Sequence, residues 1–108
     1  MSMILAFTLT MPVCNSWDGH WSGEDRLHVR VRNLGRSQKA AAAGRALVGP
    51  HYYRWSDGWV ACVTVREVDA AEARILRRRS AGFCGYDWMI DSLLRDGEIR
   101  SKSTAVAP

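Results

Sequence analysis

The sequence predicts an α+β fold, an antiparallel sheet of about four strands in β-β-α-β-β-α-α order, covered by helices. Three observations point there. Two early segments alternate apolar and polar side chains with the two-residue period of a strand. An Asp-Gly pair, the common signature of a tight hairpin, separates two further β-rich runs. Three stretches with helical spacing or helix-forming composition lie between and after these strands.

Residues 3–11 read as the first strand, with Leu5, Phe7, Leu9 and Met11 on one face and Ile4, Ala6, Thr8 and Thr10 on the other. Pro12 ends it, because proline has no amide to continue a ladder. Residues 13–25 form a loop in which Trp17 and Trp21 stand four apart, accompanied by Gly19 and Gly23. Such indoles either fold back as lids on the sheet or offer a stacking platform to a base or a partner surface. Residues 26–34 alternate strictly, Leu27, Val29 and Val31 inward and Arg26, His28, Arg30 and Arg32 outward, which fits a sheet with one wet face. The basic ladder either tracks phosphates or guards an edge strand with charge.

Ser37 caps a helix over residues 38–48, and Gly49-Pro50 stops it; Gly44 permits close packing within it. Strands at 51–55 and 59–68 flank Ser56-Asp57-Gly58. The longer one is apolar on both faces over its first half, which places it centrally with layers on both sides. Asp69 and Glu72 have capping-box spacing and open a helix through residue 79, with Ala70, Ala73 and Leu76 inward. Arg74, Arg77, Arg78 and Arg79 crowd its end, where they either complement the helix dipole or form a binding site. The glycine-bracketed Phe83 and Cys84 then turn into a last amphipathic helix. Its apolar face is Tyr86, Met89, Ile90, Leu93 and Leu94, and its other edge carries Asp87, Asp91 and Arg95. Residues 1–99 are read as a single domain and 100–108 as a flexible tail.

The net charge of +4 conceals a steeper pattern, since residues 26–79 hold twelve Lys or Arg against four carboxylates. A basic middle between acidic flanks steers anionic partners to one surface if folding keeps those charges together. Residues 3–7, an apolar run near the start, are too few to span a bilayer and lack the flanks of a signal peptide, so a cytoplasmic protein without membrane partners is expected. Three cysteines, an odd number without a CxxC pair, indicate neither a disulfide framework nor a zinc module.

Catalytic chemistry finds little support. Cys84 at the mouth of a helix has the setting of a thiolate, but a nucleophile needs a base, and the spacing ties none of His20, His28 and His51 to it. Cys14 and His20, with Asp18 or Glu24, match no zinc pattern. Asp87 and Asp91 serve either as an acid/base pair or as partners of the Arg74 to Arg79 cluster. With no phosphate-binding, dinucleotide, nucleophile-elbow or zincin motif, the chain is read as a non-enzyme without a cofactor.

The segments SWDGHWSGED, YYRWSDGWVACVTVREVD and RRRSAGFCGYDWMIDSLL resemble those of small uncharacterised proteins encoded in bacteriophages and prophages. The resemblance spans most of residues 3–99 and implies a phage origin more than a mechanism. An unrelated phage housekeeping role is one alternative, but short phage proteins without catalytic motifs often counter host immunity in the host cytosol. One form is an anti-CRISPR-type protein that binds a bacterial defence effector. Another is similar to the Thoeris anti-defence sponges, homo-oligomers whose pockets hold cyclic nucleotide or ADP-ribose-type signals with arginines and an aromatic. A third reading, from charge alone, is direct nucleic-acid binding. The residues expected to meet a ligand or partner are Trp17, Trp21, Arg74, Arg77, Arg78, Arg79, Phe83 and Tyr86. A basic protein is a poor mimic of DNA, so an inhibitor of this charge would cover acidic protein surface or touch a guide RNA.

Overall fold

Alternation along the first strand sends apolar side chains to both faces of the sheet, so both faces need cover. The computed structural model describes residues 2–10, 28–56, 58, 60–80 and 85–100. Its elements follow the expected order: β1 (Met3–Thr10), β2 (Val29–Gly35), α1 (Gln38–Leu47), β3 (Gly49–Arg54), β4 (Val60–Val68), α2 (Ala70–Arg79) and α3 (Trp88–Asp96). The strands make one open antiparallel sheet ordered β2-β1-β4-β3. β1 and β4 are central, paired without a break from Ile4 opposite Val68 to Thr10 opposite Cys62.

Two cores result. On one face Leu5, Phe7 and Leu9 of β1 and Ala61, Val63 and Val65 of β4 pack under Leu47 of α1 and Met89, Ile90 and Leu93 of α3. Phe7 is wholly buried there, which contributes about 1.5–3 kcal/mol. On the other face Ile4, Ala6, Val29 and Val68 pack under Ala73 and Leu76 of α2. The expected single wet face is therefore corrected, because the residues of β1 that alternate with Leu5 and Phe7 include Ile4 and Ala6. The second layer is partial. α2 lies over β2 and β1, while Thr64 on β4 is exposed and Cys62 half-buried, so cover on both sides does not extend along the first half of β4.

Local chemistry sets the boundaries. Ser37 Oγ accepts the Ala40 N–H at 3.0 Å, and Asp69 Oδ1 accepts the Glu72 N–H at 2.8 Å, capping α1 and α2 as their spacing predicts. Gly49-Pro50 does not separate elements; it opens β3. Pro50 is tolerated because β3 is an edge strand with one unpaired side. Ala70, expected inward, is exposed at the first turn of α2. α3 begins at Trp88, two residues later than Tyr86, and closes on Gly97 in the left-handed region (φ 78°), whose N–H donates to Leu93 O at 2.9 Å. Buried Ser92 donates to Glu98 O at 2.8 Å and accepts the Arg100 N–H at 2.7 Å, which holds Ile99 against the core.

Met11, Pro12, the loop at 13–25, Arg26, Leu27, Asp57, Trp59, Phe83, Cys84 and residues 101–108 lie outside the described residues. Among the described residues no helix is long and apolar enough to cross a membrane.

Candidate functional site

The arginine-rich helix is the natural starting point. Ala73 and Leu76 fix the buried side of α2, and Arg74, Arg77, Arg78 and Arg79 are all exposed around the rest. At about 100° per residue, Arg77, Arg78 and Arg79 sweep about 200° of the helix circumference. Arg74, Arg77 and Arg78 share one flank, and Arg77 borders a cleft there with Val29, Arg30, Val31 and Ser80. Arg79 falls about 20° from Glu72 in projection. Glu72 in turn holds Arg66 of β4 at 2.6 Å, so the Glu72 and Arg79 flank looks toward β4. The four arginines thus divide between two flanks. None of them meets a carboxylate among the described residues. Arg66 differs: its hydrogen bond to Glu72 holds the guanidinium above its ordinary pKa.

The acids expected to serve that cluster go elsewhere. Asp87 Oδ1 accepts from Arg30 Nε at 2.7 Å, and Asp91 lies 3.6 Å from Arg32, so these two acids at the start of α3 face β2. Register explains this correction. Arg30 and Arg32 stand opposite Phe7 and Leu5, which puts them on the α3 side of the sheet. Four residues of helix rise about 6 Å and two residues of strand about 6.8 Å, so the two pairs align. The hydrogen bond to Asp87, aided by its charge, keeps the Arg30 guanidinium above its ordinary range despite some desolvation. Both pairs are well exposed, and such pairs contribute about 0.2–1 kcal/mol each. Of the two readings of the basic ladder on β2, phosphate tracking is offset by carboxylates at Arg30 and Arg32, and β2 is an edge strand as the charge-guard reading requires.

Sequence reasoning singled out Tyr86 but missed its companions. Tyr53 meets Trp55 edge-to-face at 4.9 Å and Trp88 at 5.4 Å, and Trp55 meets Tyr86 at 5.7 Å between ring centroids. These half-buried rings clamp the start of α3 to β3, and such contacts contribute about 0.5–1.5 kcal/mol each beyond burial. The signal was the alternation His51, Tyr53, Trp55, which shares the face of Ala61 and Val63. His51, on the same face of β3, ties the strand to the end of α1 instead, with Nε2 2.7 Å from Leu47 O, where a carbonyl requires the ring to donate.

Trp17, Trp21 and Phe83 lie outside the described residues. The structure therefore places five of the expected contact residues, the four arginines on α2 and Tyr86 across the sheet on the α3 side. They do not form one pocket. The Arg77 cleft measures about 260 Å³, and a larger hollow of about 420 Å³ joins Met3 and Arg45 to Glu67 and Asp69, where the charges are mixed. Comparison with protein-family models, curated proteins and solved structures finds no match.

Proposed function

We propose that this protein is a phage-encoded anti-defence factor, a non-catalytic inhibitor that binds a bacterial immune effector in the manner of an anti-CRISPR protein. The observation behind this reading is the flank of α2 where Arg74, Arg77 and Arg78 are exposed and without a carboxylate among the described residues. An exposed row of guanidinium groups suits a broad acidic surface, to which it contributes steering and register. It acts in the host cytosol by covering that surface, and the chemistry stays with the effector.

Sequestration of a cyclic nucleotide or ADP-ribose-type signal is the second reading. Its support is the cleft that Arg77 and Arg30 border together. Small-molecule sites usually occupy about 300–1,000 Å³. The cleft falls below that range, and Asp87 already engages Arg30, which ranks this reading behind effector binding.

Plaque formation on bacteria with an active CRISPR system tests the first reading. Expression of the chain should raise plating efficiency, and the triple variant Arg74→Glu, Arg77→Glu, Arg78→Glu should abolish the effect while its circular dichroism is unchanged. Full protection by the triple variant would sink the proposal. Native mass spectrometry that finds a small phosphorylated ligand, released intact by heat, transfers the assignment to sequestration.

A further inference from the structure

The half of the sheet that α2 leaves open presents an exposed tyrosine, an exposed arginine and two exposed threonines among the described residues. Pairing runs in rows across three strands: Thr10, Cys62 and Tyr52 form one row, and Thr8, Thr64 and Pro50 the next. Arg54 and Val60 lie one step further along. These side chains share a face because directly paired residues point the same way. The Tyr52 ring is 65% exposed, the most exposed large hydrophobic residue among those described, on a strand whose neighbouring tyrosine, Tyr53, is packed into the core edge. Arg54 is exposed and has no carboxylate among the described residues. α2 walls one side of this floor and turns its Glu72 and Arg79 flank toward it. Glu72 is already engaged by Arg66, while Arg79 on that wall meets no carboxylate among the described residues.

We infer that this open face binds single-stranded nucleic acid. Tyr52 supplies a π-face on which any base stacks, Arg54 and Arg79 flank it with positive charge for the phosphates, and Thr10 and Thr64 offer hydroxyls between them. An aromatic on a strand beside unpaired arginines is the arrangement by which sheet-based proteins hold unstacked bases. Charge complementarity selects this occupant: the floor residues Thr8, Thr10, Pro50, Tyr52, Arg54, Val60, Cys62 and Thr64 include no carboxylate. A duplex keeps its bases stacked and denies Tyr52 a partner. The face lies apart from the Arg74, Arg77 and Arg78 flank, so it neither requires effector binding nor falls with it.

Fluorescence anisotropy with labelled 12-mers of deoxythymidylate and uridylate, and with a 12-base-pair duplex, at low salt provides the test. The single strands should bind, the duplex more weakly. Tyr52→Ala should weaken single-strand binding about tenfold, and Tyr52→Phe should restore it, since stacking needs the ring and not the hydroxyl. Arg54→Ala with Arg79→Ala should flatten the dependence of affinity on salt. Tyr52 is exposed, so circular dichroism of the variants should match the parent. Absence of binding, or affinity unchanged by Tyr52→Ala, would overturn the inference. So would a nucleic-acid-free dimer that Tyr52→Ala dissociates, which would assign the face to a second copy of the chain. The triple Arg74, Arg77, Arg78 variant should retain most single-strand binding, which separates this result from the anti-defence assay.

Discussion

At the scale of single residues, the tightest constraint is Gly44. Alanine is the best helix former and glycine costs about 1 kcal/mol against it in a helix interior, so Gly44→Ala looks stabilising by propensity alone. Packing reverses the sign. A Cβ at this position would stand 2.5 Å from Met3 Cγ and 2.7 Å from its sulfur. Met3 is buried and its Cγ is mid-chain, so the clash cannot be relieved by moving a side-chain tip. Gly44→Ala should therefore destabilise by about 1 kcal/mol or more in thermal or urea unfolding, and Gly44→Ala in a Met3→Ala background should cost less than the two single changes together. The need for a small residue was legible in a glycine interrupting an alanine run. The role of Ser92 was not, because a serine on a helix reads as a wet position until the returning chain at Glu98 and Arg100 supplies partners for its hydroxyl.

Among the elements, α3 shows how neighbouring segments choose partners. Its apolar face was readable from spacing, and Met89, Ile90 and Leu93 are buried as that spacing requires. Asp87 and Asp91 were not assigned correctly, because the arginine cluster that precedes them in sequence is on α2, while the arginines that reach them in space are on β2. Spacing along a chain does not say which face of a sheet a helix returns to. The pairing can be measured by a double-mutant cycle on Arg30→Ala and Asp87→Ala, with an expected coupling of about 0.5 kcal/mol that shrinks in high salt. Its alkaline behaviour follows from the raised Arg30 pKa. A cation whose folded pKa lies above the unfolded value contributes fully below the unfolded value and is lost only as pH rises through the folded one. The coupling should therefore persist from neutral pH to about pH 10, still well below the guanidinium range.

For the whole molecule, stability should concentrate in the two central strands, which are paired on both edges and lie between two cores over part of their length. Native-state amide exchange should be slowest in Leu5 to Phe7 and Val63 to Val65 and much faster in edge strand β3, and uniform protection across the sheet would contradict this arrangement. Element order was legible because periodicity and turn chemistry are local properties. Strand order, the partial second layer and the splitting of the arginines between two flanks were not, because each depends on which segments meet across long stretches of chain. The basic charge of residues 26–79 was visible as a total, while its division into carboxylate-paired and unpaired groups required the register of β2 against β1.

The placement of β1 between β2 and β4 also affects how the chain folds during synthesis. β1 precedes its partner β4 by about fifty residues, so the ribosome must make both hairpin strands and α1 before the sheet can close around it. Until then the segment carrying Ile4, Leu5, Phe7 and Leu9 has β2 as its only available neighbour and one apolar edge open to pairing with other chains. Long-range closure of this kind is slow relative to helix formation, and the waiting intermediate is prone to aggregate. The strand that anchors the finished sheet is thus the segment most exposed to misassembly while the protein is being made.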